Sequence, residues 1–66
     1  MTSHLEFYRA RASEAQADAD SATLDNVRDR CLRSAAAWES MAARAERGET
    51  MRAKLEAEKA AAARAD

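Results

Sequence analysis

The fold is decided by the stretch from residue 5 to residue 22, LEFYRARASEAQADADSA. Within it, apolar or small residues recur every three or four positions, which is the heptad spacing of helices that pack side by side. Alanine occupies most of these positions, where a coiled coil usually carries leucine. We call this set the first seam, and its members are Leu5, Tyr8, Ala12, Ala15, Ala19 and Ala22. The spacing predicts a helix that lies close to a second helix.

The heptad spacing breaks after Ala22 and then resumes. Thr23 is the expected N-cap of the new helix, because a threonine hydroxyl accepts a hydrogen bond from a first-turn amide. Ser3 and Glu6 form a capping-box pattern that starts the first helix. We therefore expect helices over about residues 4–22 and from about residue 24, joined by a loop short enough to make them antiparallel. The second seam comprises Leu24, Val27, Cys31, Ser34, Trp38, Met41 and Ala45.

The second helix is expected to be longer and to have a wider apolar face. A further stripe, offset around this helix, contains Leu32, Ala35 and Ala42. Such a face can contact both the first helix and a second subunit. Residues 1–47 form the predicted hairpin, and residues 48–66 form a charged, alanine-rich helical extension that frays at its end. We expect the helix to continue through Gly48, since an isolated glycine costs only about 1 kcal/mol relative to alanine.

Charge and composition exclude several classes of protein. The chain has 11 basic and 12 acidic residues and a net charge of −1, which gives no electrostatic footprint for nucleic acid or an anionic membrane. It has no apolar run of transmembrane length and no signal-peptide pattern at its start. The one cysteine excludes an internal disulfide, and together with the missing signal it favours the cytoplasm.

The small size of the chain favours self-association. A single core in a chain of 66 residues is marginal, and disulfides, metals or oligomerisation are the usual remedies. The sequence has neither paired cysteines nor a Cys/His cluster, so oligomerisation is the remedy left. The fold class that we predict is all-α: an antiparallel two-helix hairpin with a longer second helix, assembling into a dimeric four-helix bundle or a higher bundle.

The sequence also resembles a known group of proteins. Its first part reads Tyr8-Arg9-x-Arg11-Ala12-x-Glu14, and its second reads Val27-Arg28 followed by Leu32-x-x-Ala35-x-x-Trp38-x-x-Met41-Ala42. This pattern is similar to that of short, mostly uncharacterised bacterial helical-hairpin proteins, over about residues 8–46. The chain departs from them at the break, where they often carry Asp-Pro, and at Met41, where they carry leucine. The resemblance implies a two-helix fold and no activity.

The residues that carry chemistry form no recognisable catalytic or metal site. His4 is the only histidine, and it is expected to be a solvated terminal residue. Cys31 is expected to be a small core residue, with a reactive thiol or an intersubunit disulfide as alternatives. Glu14 and Asp18 share a helix face without a third ligand. We therefore expect no enzymatic activity, no cofactor and no bound metal.

Two other groups of residues offer alternative functions. Tyr8 and Trp38 lie on facing seams, so they either close the open end of the hairpin or line a small-molecule pocket with Met41. The basic run of Arg28, Arg30 and Arg33 offers a weaker alternative, nucleic-acid binding, although interleaved acidic residues favour a salt-bridged face.

The function that the sequence favours is a non-enzymatic structural or regulatory protein–protein interaction module. It would associate with itself through the alanine-rich seams, with an unknown protein as a further possible partner. Phe7 lies off the first seam on the outer side, and Leu32 also lies off its seam. The predicted interface residues are Phe7, Tyr8, Leu32, Trp38, Met41, Met51 and Leu55.

Overall fold

The computed structural model describes residues 3–65 and has two helices in this range. The first, α1, runs over His4–Ser21, and the second, α2, runs over Asp25–Arg64. The helices pack against each other in antiparallel directions, so the predicted all-α helical hairpin is confirmed. At 1.5 Å per residue, the 40 residues of α2 span about 60 Å, more than twice the length of the 18-residue α1.

Local capping differs between the two helix starts. The Ser3 hydroxyl accepts a hydrogen bond from the Glu6 amide at 3.1 Å, as the capping-box pattern predicts. The expectation that Thr23 caps the second helix is wrong by one residue, because Leu24 is the N-cap and offers no side-chain bond. The Arg28 guanidinium instead donates to the Ala22 carbonyl oxygen at 2.9 Å and to Asp25 at 3.2 Å. The Arg28 side chain thus links the turn at Ala22 to the start of α2.

The hairpin core is built almost entirely from alanine. On α1 the buried residues are Leu5, Ala12, Ala15 and Ala19, and Tyr8 is half-buried, so the first seam faces α2 as predicted. None of the described side chains is both large and fully buried. Small side chains allow helix axes to approach closely. The alanines therefore set the distance between the two helix axes, but they bury little apolar area.

The face that α2 turns to α1 is rotated from the predicted second seam. Ala35 and Ala42, which we assigned to the offset stripe, are the buried residues of α2. Leu24 and Ser34, which we placed on the seam, are exposed. The shift has a simple cause: the two predicted stripes are neighbours around the helix, and the smallest residues of the pair take the position of closest approach. The half-buried residues around them on α2 are Val27, Cys31, Trp38, Met41, Ala45 and Gly48.

The second helix continues without interruption through Gly48, as expected, and projects beyond the hairpin. Residues 49–65 are all exposed, so α1 covers roughly the first 24 residues of α2 and leaves the rest as a single helix. Across the described part of the chain, every ion pair within 4.0 Å involves hairpin residues only. The side-chain pairs that the sequence favours in the extension, such as Arg52 with Glu56, do not form. The fraying of its end stays a prediction.

Candidate interaction surface

An aromatic cluster closes the open half of the hairpin. Tyr8 of α1 stacks on Trp38 of α2 with ring centroids 6.0 Å apart and an interplanar angle of 30°. The prediction that these two residues face each other is therefore confirmed. On the opposite side of the hairpin, Arg9 donates to Glu46 at 3.1 Å. These contacts between distant residues fix how α1 lies along α2, which the uniform alanine seam alone does not do.

Phe7 belongs to the same cluster, contrary to its expected place on the outer side of α1. Its ring meets Trp38 edge-on, with centroids 5.8 Å apart at 88°. The Arg11 guanidinium carbon lies 5.6 Å from the Phe7 ring centre and 5.7 Å from that of Trp38, within the range of cation–π attraction. Because a helix position one step before the seam lies at its edge, Phe7 reaches the partner helix while keeping 46% of its surface exposed.

The predicted interface residues divide into two groups in the structure. Tyr8, Trp38 and Met41 are half-buried and hold the hairpin together. The other four present large apolar surface to the solvent, and these are Phe7, Leu32, Met51 and Leu55. Leu24, which its spacing placed on the second seam, is a further member of this exposed group, since it is 61% exposed at the turn.

An open groove of about 540 Å³ runs beside the aromatic cluster at the end of the hairpin. His4 and Tyr8 of α1 line one side, and α2 lines the other with Met41, Ala45 and Gly48 among its residues. His4 is exposed and contacts Tyr8 edge-on, with ring centroids 6.2 Å apart. Trp38 does not line this groove, so the pocket that we expected around Tyr8, Trp38 and Met41 has a different composition.

A second, smaller groove contains the cysteine. Cys31 is half-buried and lies beside Arg30, Glu14 and Asp18, with Trp38 at one end. Glu14 is held by Arg11 at 3.2 Å. Both acidic and basic side chains therefore surround the thiol, and the arginine-only environment that activates a cysteine does not form here.

The basic run on α2 is dispersed around the helix. Arg28 is engaged by Asp25 and by the Ala22 carbonyl oxygen, while Arg30 lines the cysteine groove. Arg33 lies on the exposed surface. Three guanidinium groups in these places do not make one continuous basic strip of the kind that follows a phosphate backbone.

The described residues offer neither a metal site nor a membrane-spanning stretch. Within residues 3–65, no three His, Cys, Asp or Glu side chains come together in a way that could hold a metal ion. In the same range, neither helix has a stretch that is long and apolar enough to cross a membrane. Comparison of the chain with family models, curated proteins and solved structures gives no match.

Proposed function

We propose that this chain is a non-enzymatic structural or regulatory module that acts by protein–protein association, and that it associates first with itself. One observation carries the proposal: among residues 3–65 the buried core holds six residues, five of them alanine, while Phe7, Leu24, Leu32, Met51 and Leu55 remain between 41% and 61% exposed. A hydrophobic side chain removed from water contributes roughly 1.5–3 kcal/mol. These five large apolar side chains are thus still available to stabilise an assembly.

The surfaces used for this association differ from those that the sequence favoured. The alanine-rich seams lie between α1 and α2 of one chain, so they are occupied within the hairpin. Self-association would instead use the exposed side chains at the edges of the hairpin and on the extension. A dimeric four-helix bundle or a higher bundle remains the assembly that we propose. We also propose a cytoplasmic location and kinship with the bacterial hairpin proteins that the sequence resembles.

The oligomeric state tests the proposal directly. Binding between folded chains stabilises them by mass action, so the midpoint of thermal unfolding should rise with protein concentration. We expect circular dichroism melts at about 2 and about 200 µM to differ, and sedimentation equilibrium to give more than the mass of one chain. A folded monomer with an unchanged melting midpoint across this range would contradict self-association.

A second candidate function is small-molecule binding in the groove beside Tyr8 and Met41. The groove is large enough for a metabolite, and it joins aromatic, apolar and charged side chains, as ligand sites do. Because Trp38 stacks on Tyr8, a ligand that displaces Tyr8 should quench or shift the tryptophan emission. Emission that stays constant across a metabolite library would favour packing as the role of the cluster. Nucleic-acid binding through Arg28, Arg30 and Arg33 is the weakest candidate.

A further inference from the structure

One flank of α2 carries an apolar stripe that runs from the hairpin onto the part of α2 that α1 does not cover. Met41, Gly48, Met51 and Leu55 are spaced by seven, three and four residues, which places them on one side of a continuous helix. Met51 and Leu55 are each 54% exposed, since both lie beyond the end of α1. The stripe thus starts in the hairpin and continues onto the extension.

Gly48 has no explanation within a single chain. A Cβ atom built at this position would meet only the mobile end of Arg52, at an ordinary distance of 3.7 Å. Its backbone is helical, without a positive φ angle. Glycine in the middle of a helix nevertheless weakens it relative to alanine. The missing side chain therefore points to a close approach by something outside this chain.

The groove described above includes Gly48 in its lining and continues to Arg52. Leu55 lies two helical turns beyond Gly48 on the same flank. The small surface at Gly48 and the Leu55 side chain that would cover it lie on the same flank. This flank is therefore self-complementary, as an interface about a two-fold axis requires.

We propose that a second copy of this chain pairs with α2 in the antiparallel direction, about a two-fold axis near Met51. In this arrangement Leu55 of each copy packs over Gly48 of the other, and the two Met51 side chains meet at the axis. The inference rests on the self-association proposed above and names the surface that performs it.

The charges along the flank fit this arrangement. Arg44 lies seven residues before Met51 and Glu58 lies seven residues after it, so each is two turns from the axis on the same side of the helix. An antiparallel pair sets Arg44 of one copy opposite Glu58 of the other, and the symmetry makes this contact twice. Neither of these two residues takes part in the ion pairs within 4.0 Å of the described chain.

A charge exchange tests the pairing, because Arg44 and Glu58 of one chain lie about 21 Å apart along α2 and do not meet. We expect Arg44→Glu and Glu58→Arg each to weaken dimerisation about tenfold in sedimentation equilibrium, since each loses two attractive contacts and gains two repulsive ones. The double variant should recover the dissociation constant of the unmodified chain to within about threefold. Arg33→Glu, the same charge change far from Met51, should leave it unchanged.

Gly48→Ala gives a second test, whose expected result differs from the result of a folding defect. The added methyl group fits within one chain, so the helix should melt at a higher temperature at low protein concentration. The same methyl group should hinder the approach of Leu55 from the second copy and weaken dimerisation about tenfold. These two changes have opposite directions.

Two results would overturn the inference, and they differ in what they leave standing. If the chain dimerises but the two charge variants add without recovery in the double variant, this interface is wrong while self-association holds. If the chain sediments as a monomer up to about 200 µM, the self-association falls as well, and the stripe serves another protein or none.

Discussion

The two halves of α2 are both rich in alanine and in charged residues, but their surroundings differ. Residues 25–48 pack against α1 and contain the two buried residues of this helix, Ala35 and Ala42. Residues 49–65 are exposed throughout. Alanine is frequent in both halves, so composition does not decide which half is packed. The difference lies in the partners: the first half has Trp38, whose ring contacts Phe7 and Tyr8 of α1, and the second half has no opposing helix.

The largest expected effect on the free energy of unfolding comes from removing Trp38, the side chain of the packed half that has no counterpart in the exposed half. Trp38→Ala should lower the free energy of unfolding by about 3 kcal/mol, because it removes contacts with Phe7, Tyr8 and Arg11. Met51→Ala is the matched control in the exposed half, and at low protein concentration it should stay within about 0.5 kcal/mol. Urea unfolding followed by circular dichroism measures both. Equal losses would mean that the extension is packed too.

Adding volume to an alanine tests the same contrast from the other side. Ala19 is 1% exposed, so Ala19→Leu should force α1 and α2 apart and cost about 2 kcal/mol. Ala57→Leu places the same side chain on the exposed half, where thermal melts should change little. A neutral Ala19→Leu would show that the helices are less closely packed than the burial of the seam indicates.

A substitution at the start of the packed half is expected to stabilise the fold. Leu24 occupies the N-cap without a side-chain hydrogen bond, and aspartate there should accept one from a first-turn amide. Leu24→Asp should therefore raise the free energy of unfolding by about 1 kcal/mol. Leu24→Ala, which removes the same apolar surface without adding a cap, separates the two contributions in the same urea measurement. A gain as large for alanine would assign the effect to lost surface.

The smallest effect is expected at the ion pair that joins the helices. Arg9 and Glu46 are 3.1 Å apart, but their side chains are 58% and 59% exposed, so water screens the attraction. A double-mutant cycle with Arg9→Gln and Glu46→Gln should give a coupling energy below about 1 kcal/mol. The coupling should also fall as salt is added. A larger, salt-independent value would show that this contact holds α1 to α2 more firmly than its exposure allows.

The sequence predicts the hairpin well because one helix carries an unambiguous signal. Residues 5–22 repeat at heptad spacing with few competing apolar positions, and the structure buries this seam. The face of α2 was harder to assign because Ser34 and Ala35 are adjacent small residues, and either can lie at the closest approach. Only the position of α1 decides between them. The turn was difficult to predict for a similar reason, since Arg28 stabilises it by a hydrogen bond to the Ala22 carbonyl oxygen, six residues away.

The candidate surface was predictable in part. Leu55 follows Met41 and Gly48 at heptad spacing and Met51 lies off that register, but the predicted first helix of residues 4–22 is too short to reach either residue, so the sequence alone leaves both without an intramolecular partner. Phe7 was misplaced because helical spacing gives its angle around α1 and says nothing of how far a phenylalanine ring reaches. The space beside Gly48 was not predictable from sequence either, since it depends on where the Arg52 side chain lies.

The alanine core has a consequence for how the hairpin folds. Burying alanine costs no rotamer freedom, so the two helices dock without first sorting side-chain conformations. Most contacts of the described residues are local, within the two helices, and such low contact order is typical of folding in microseconds to milliseconds. A seam of identical methyl groups, however, fits almost equally well when shifted by a heptad. The stacking of Tyr8 on Trp38 selects one alignment of the two helices.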